Sequence, residues 1–379
     1  MNFDFTEDQH TIKRTARDLL AKRSSFERVR AAAEGGAYDE TLWAELSELG
    51  WPGIAISEDF GGLGLGLVEL VILAEELGYA VAGSPFLSNA LGGVLIDQAG
   101  SDEQRARWLP GIADGTARAT VGAVQDGAAP VVPDAASAAV IVLLDPDGSA
   151  RLVEPAAVTV EPVSSIDIGR RFARVTAAED AGEPLAGDVA AGTDRAEAVL
   201  AAELVGVAQR AMELSVEYAK DRKQFNTPIG AYQAVSHLCA QMLFDVEGAR
   251  SATYFAGWSA DAAPEQLPVA AAMAKAAAAD ASRAVTASAI QVHGGIGFTW
   301  EADLHWLYKR AQVDASLLGS ARTHRARVAR LARVRRGKVC GRGRADEVRA
   351  ARVIERNGVA ILIARTAQEG RINERRSGG

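Results

Sequence analysis

The residues best suited to chemistry fall in two stretches. YAKDRKQFNTPIGAYQ at 218–233 places Arg222, Lys223, Gln224 and Phe225 in a basic turn between two helical patterns, with Pro228 and Gly230 opening the second. QVHGGIGFTWE at 291–301 places Gly294, Gly295 and Gly297 at the end of another helical pattern. A guanidinium with amide and aromatic neighbours suits a phosphate or pyrophosphate attached to a flat ring. Consecutive glycines permit positive φ and let a ligand approach backbone N–H groups closely. The same residues also fit a solvated helix end, where Lys and Arg complement the helix dipole, and a plain interhelix turn. Gln233 and His237 follow at i and i+4, on one side of the next helix. His293 and His305 have no His, Cys or carboxylate neighbours at ligand spacing, so no metal is expected.

These turns need helices to hold them. Residues 3–115 read as helical with short breaks: Thr6 followed by Glu7, Asp8 and Gln9 is a helix start, and further helices are expected over 67–80, 86–99 and 102–114. DFGGLGLGLVEL at 59–70 matches a dinucleotide fingerprint only superficially, because no adequate strand precedes it. From Ala119 the pattern favours strands, at 138–145, 149–163 and 170–178, with Pro146-Asp147-Gly148 as a turn. Four long helical segments follow, at 193–220, 230–259, 266–292 and 301–331, Ala-rich and joined by short connectors, as in an antiparallel four-helix bundle. The fold class is therefore mostly α with a small central β-domain. The expected domains are a helical domain at 1–118, a shortened β-domain at 119–190, a four-helix bundle at 191–332 and a basic tail at 333–379.

Composition narrows the function classes. The 379 residues allow two or three domains and a large core. Two cysteines, Cys239 and Cys340, rule out a disulfide framework, and Cys239 reads as a small core residue. The acidic start MNFDFTEDQH has no apolar signal region, and no run is long and apolar enough to span a membrane, so a cytoplasmic location is expected. The net charge of −8 is uneven: residues 333–379 carry 13 Lys/Arg against 5 Asp/Glu, which leaves −16 on the body. A basic tail without aromatics reads as a solvated appendage, with one further helix read at 345–368, and nucleic acid is not an expected partner.

YAKDRKQFNTPIGAYQAVSHLCAQM and AKAAAADASRAVTASAIQVHGGIGFTWEADLHWLYKRA together resemble the C-terminal domain of the acyl-CoA dehydrogenase flavoproteins, and LGWPGIAISEDFGGLGLGLVELVILAEELGY resembles their helical domain. The resemblance covers residues 1–332 and is nearest to shortened bacterial members that occur as subunits of mixed oligomers. It implies FAD at a subunit interface, with Arg222, Gln224, Phe225 and Gln233 at its phosphates and adenosine part. It implies further contacts from Gln291, Gly294 and Gly295, with the two turns at one cofactor coming from different chains. Asn226 stands where the family commonly has glycine. The implied partners are an acyl-CoA substrate, an electron-transfer flavoprotein and other subunits, as a dimer or a dimer of dimers.

The family's chemistry removes a proton α to a thioester with a carboxylate and passes hydride from the β-carbon to the flavin. The family's two positions for that glutamate carry Leu318 and Ala196 here. Glu197, Glu203 and Asp314 are nearby acids that read as solvated helix charges. Asp314, one helical turn before Leu318 and on a similar face, is the best substitute for the base. The family's flavin-contacting Thr-Glu-Pro and Gly-Ser-Asp segments are missing from VGAVQDGAAPVVPDAASAAVIVLL, where a strand pair reads as deleted. Asp167 and Arg170 resemble a recurring pair of the shortened subgroup and also fit a local turn salt bridge. Two functions stay open. One is FAD-dependent conversion of an acyl-CoA to its 2,3-enoyl-CoA, either by the chain itself or only within a mixed oligomer. The other is a non-catalytic subunit that completes FAD sites for a paralogue.

Overall fold

The computed structural model describes residues 4–36 and 38–339, with side chains to 332. Residues 1–325 form one compact unit; of the second unit, 326–379, the helical backbone to Val339 and the side chains to 332 are described. Six helices come first: α1 (Glu7–Arg23), α2 (Phe26–Gly35), α3 (Glu40–Glu48), α4 (Leu67–Tyr79), α5 (Phe86–Ala99) and α6 (Asp102–Ala113). Thr6 and Gln9 form a reciprocal capping box at the start of α1, as do Ser101 and Gln104 at α6. Short 3₁₀ turns, not a strand, precede the glycines at 61–66.

The β-region forms two small sheets. One has the order β1 (Ala119–Ala123), β3 (Val140–Leu144), β4 (Ala150–Val153), β7 (Glu183–Pro184), with β1 parallel to β3 and the others antiparallel. The other places β6 (Phe172–Thr176) between β2 (Ala128–Pro133) and β5 (Thr159–Val163). The stretch 149–163, read as one strand, is two strands in different sheets. Pro155 opens a 3₁₀ turn between them, and its ring fixes φ and removes a ladder donor. β1 and β2 lie in the strand-favouring region that begins at Ala119, ahead of the three strands singled out there.

The helices then return: α7 (Val189–Asp221), a hairpin of β8 (Lys223–Gln224) and β9 (Thr227–Pro228), α8 (Gln233–Ala262), α9 (Leu267–His293), α10 (Leu304–Asp314) and α11 (Ala321–Val339). The fourth helical segment, expected to run unbroken over 301–331, is two helices. Leu318 at φ 53 and Gly319 at φ 102 end any continuous helix, and α11 starts beyond them. The backbone of α11 runs on past Arg333, so the helical pattern does not stop there; the helix read at 345–368 and Cys340 lie outside the described residues. Cys239 is half-buried, not core.

One core cluster joins α4 and α5 to α7, α9 and the first sheet. Two glycines set how close α4 and α7 come. A Cβ on Gly78 would stand 2.2 Å from the Glu203 carbonyl, and one on Gly206 1.9 Å from the Glu75 carbonyl. This backbone contact draws Glu203 inside the molecule, where it is 2 % exposed. Among the described residues no helix is long and apolar enough to cross a membrane.

Candidate active site and cofactor turns

The first assembly of interest is at one end of the bundle. α7 and α9 run the same way, so their C-termini meet, and the Tyr218 and His293 rings stack at 4.3 Å. The two turns of one chain thus lie near each other. β8 and β9 close on Phe225 at φ 52 and Asn226 at φ 61, the paired left-handed residues of a tight hairpin. Asn stands this conformation better than most residues, which explains how it replaces glycine. Arg222, Lys223, Gln224 and Phe225 are exposed, Phe225 at 91 %. Gln233 begins α8, and its first turn has no side-chain cap, so backbone donors remain for an anion. Gln291, Gly295 and His237 are exposed, and Gly294 and Gly295 face open space. The donor set fits a phosphate-bearing cofactor: guanidinium, amide and amine groups around an open helix start. Phe244, Phe298 and Trp300 are also exposed, at 62 %, 82 % and 65 %.

The second assembly is buried where β-region and bundle meet. The loop between β5 and β6 brings Asp167 and Arg170, α7 brings Glu203, and α10 brings Arg310 and Asp314. Arg170 donates to Asp314 Oδ1 at 2.8 Å and to Glu203 Oε1 at 2.7 Å. Arg310 donates to Asp167 Oδ2 at 2.5 Å and to the same Glu203 oxygen at 2.9 Å. So Asp167 and Arg170 are not a local pair; each reaches across to a helix. None of the five exceeds 5 % exposure, and Glu197 is also buried at 4 %, so the three helix acids are not solvated charges. The local rule failed because α4 and the β-region cover these helix faces.

Asp134, after β2, adjoins the cluster and accepts from Ser88 at 2.5 Å and from the Tyr38 hydroxyl. Burial pushes the carboxyls of Asp134 and Asp314 up, Asp314 to about 7, against the pull of Arg170. Four carboxyl groups face two guanidiniums here, and burial favours the neutral form of Asp134 and Asp314. Asp314 Oδ2 and Arg310 Nη2 have no hydrogen-bond partner among the described residues. α10 ends at Asp314, so Asp314 and Leu318 do not share a helix face. Ala196 is fully buried beside Glu197. Sequence reasoning missed Arg310, Asp134 and Tyr38. For Arg310 a signal existed, since Arg310 and Asp314 are i, i+4 on one helix face.

Family models for "Acyl-CoA dehydrogenase, N-terminal domain" and "Acyl-CoA dehydrogenase, C-terminal domain" match residues 6–116 and 187–332. The acyl-CoA dehydrogenase IpdE2 of Mycobacterium tuberculosis strain H37Rv is 37 % identical over 319 residues, 83 % of this chain and 94 % of the relative. The chain belongs to the acyl-CoA dehydrogenase family. A second acyl-CoA dehydrogenase IpdE2, from Mycolicibacterium smegmatis, is 34 % identical over 84 % of this chain and 96 % of its own. Among solved structures, a variant of the Tcur3481-Tcur3483 steroid ACAD has a TM-score of 0.79 at 28 % identity, covering 88 % of this chain and 99 % of that one. The ChsE4-ChsE5 complex of M. tuberculosis shares the fold, with a TM-score of 0.80 at 24 % identity over 87 % of this chain and 98 % of that one. Both matched family models fall on helices. For this acyl-CoA dehydrogenase family member the mostly α fold with a small central β-domain is as expected, and the family it joins is one of FAD-binding oxidoreductases.

Proposed function

We propose that this chain is a subunit of an oligomeric, FAD-dependent acyl-CoA dehydrogenase that converts an acyl-CoA to its 2,3-enoyl-CoA. Arg222, Gln224, Phe225 and Gln233, with Gln291, Gly294 and Gly295, would hold the cofactor's phosphates and adenosine part. The observation that carries this reading is the meeting of the two turns around the uncapped start of α8. When bound, FAD accepts the hydride that leaves the substrate β-carbon. Arg222 and Glu203 are 19 residues apart on and just past α7, about 28 Å at the rise of an α-helix. That distance favours a flavin ring presented to a neighbouring subunit, so the working unit is a dimer or dimer of dimers, of one chain or of two paralogues. An electron-transfer flavoprotein is the expected acceptor of the electrons, and the cytoplasm the expected location.

The proton from the α-carbon needs a carboxylate. We assign it to Asp314, whose Oδ2 has no partner among the described residues and whose carboxyl titrates at about 7. Arg170 holds the other oxygen and so orients the acceptor atom. A second reading rests on the same geometry: Asp314 is fully buried and bound to Arg170, and Leu318 and Ala196 carry no carboxylate, which suits a subunit that completes FAD sites for a catalytic paralogue. Purification of the chain alone and with a paralogue separates the two. A flavin spectrum on the chain alone, bleached by added acyl-CoA, supports the first reading. Flavin and bleaching only in the mixed oligomer support the second, and no flavin in either form sinks the cofactor assignment.

A further inference from the structure

Lys275 is a charge in an otherwise apolar stretch of α9. VAAAMAKAAAA at 269–279 surrounds it, and its side chain is fully buried. Its ammonium reaches three carbonyls: Asp314 at 3.3 Å, Ala315 at 3.1 Å and Gly319 at 3.3 Å. These belong to the end of α10 and to the turn that follows. The last carbonyls of a helix lack partners within it and carry the negative end of its dipole, so a cation there meets both needs. Three acceptors require three N–H donors. Only the ammonium has three; the neutral amine would turn a lone pair toward one carbonyl.

His324 holds the same turn from α11. Its Nε2 is 3.0 Å from the Leu318 carbonyl, and since a carbonyl only accepts, Nε2 carries the proton. Its Nδ1 faces Glu197 Oε2 at 3.7 Å. Gly319, at φ 102, leaves no room for more: a Cβ there would stand 3.1 Å from His324 Nε2. Between them Leu318 adopts φ 53, a left-handed conformation unfavourable for a leucine. Two helices thus clamp a strained turn at the position where the family resemblance places the base.

We infer that Lys275 is a positioning residue of the acyl-CoA site, fixing through three carbonyls where Asp314 and Leu318 stand toward the substrate. This rests on the reading of the chain as a subunit that helps oxidise acyl-CoA. Burial brings the Lys275 amine down to about 8, while Glu197 from α7 and Asp314 from α10 oppose that fall; His324 faces the same turn from α11. The hold therefore weakens as pH rises through about 8.

The test uses the flavin-loaded oligomer and a panel of butyryl-, octanoyl- and palmitoyl-CoA. Lys275→Met keeps the length of the side chain and removes its donors. The expected result is a fall in kcat of tenfold or more, with KM and flavin content within a factor of two, and faster backbone hydrogen exchange confined to residues 314–320. Unchanged kcat in a flavin-loaded variant overturns the inference. If Lys275→Met does not fold, the wild-type oligomer decides. Exchange at 314–320, corrected for intrinsic rates, should rise between pH 7 and 9; a flat response overturns the inference. A wild-type oligomer that oxidises none of the panel counts against the functional reading itself, a result distinct from an active wild type whose Lys275→Met variant is equally active.

Discussion

Asp314 combines two properties that normally exclude one another. It is fully buried, and one of its oxygens is bound to a guanidinium while the other has no partner among the described residues. Taking a carboxylate from water costs several kcal/mol unless its partners are well placed. Arg170 compensates only in part, since burial still carries the carboxyl to about 7. The sign of the resulting linkage follows. The folded state holds the proton more tightly than the unfolded chain, so ionising Asp314 destabilises the fold. That penalty is absent below the ordinary carboxylate range and complete above pH 7. Catalysis runs the other way, because a base must be ionised. If Asp314 is the base, kcat should climb with pH through about 7, and Asp314→Asn should lower kcat by roughly 10²–10⁴ with little change in KM. Stopped-flow bleaching of the flavin by acyl-CoA measures both, and an Asn variant with wild-type rates removes Asp314 from the mechanism. Asp314 was singled out in the sequence by its proximity to Leu318. Its burial was not legible there, because that depends on Arg170 arriving from a loop 144 residues away.

At the scale of elements, the break after α10 and the hairpin after α7 show where local signals carry information. Gly319-Ser320 had the marks of a helix stop followed by a start: Ser320 Oγ accepts from the Thr323 N–H. The helical periodicity on either side hid this. Buried Glu203 had no local signal, since the Gly78 and Gly206 contacts that draw it inside come from two helices far apart in sequence. The hairpin was legible as a basic turn, and its left-handed Phe225-Asn226 pair gives the reason for its sequence. Its rigidity fixes Arg222, whose N–H bonds the Tyr218 carbonyl while its own carbonyl accepts from Ile229. Arg222 side-chain nitrogens are then free to meet an anion from a defined position. A charge-assisted hydrogen bond contributes about 1.5–3 kcal/mol. Arg222→Ala should therefore raise the FAD dissociation constant roughly tenfold to a hundredfold, with thermal stability of the flavin-free protein unchanged. Flavin content after gel filtration reports it, and undiminished content would mean the turn does not hold the phosphates.

Arg222 and Glu203, 19 residues apart on and just past α7, separate the cofactor turns from the buried cluster around Asp314. Near the cofactor turns Phe225, Phe298 and Trp300 are largely exposed, with Ile296 at 42 % and Tyr232 at 40 %, and Phe244 is exposed 11 residues into α8. A cluster of large apolar side chains next to cationic turns is unusual for a surface that faces only water. Another subunit of the same fold would cover the aromatics and bring its flavin-facing surfaces to these turns. Burying each large side chain contributes roughly 1.5–3 kcal/mol, so one charge placed among them should weaken the assembly strongly. Phe298→Asp and Phe244→Asp sit on separate elements, the 294–298 turn and α8, which guards against a local folding defect in either. Both should shift the oligomer toward smaller species in light scattering while helix content by circular dichroism holds. Because the flavin site is completed by a second chain in this arrangement, flavin should be lost in step with dissociation. Dissociated subunits that keep their flavin would show that a single chain holds the cofactor alone, and would overturn the shared site.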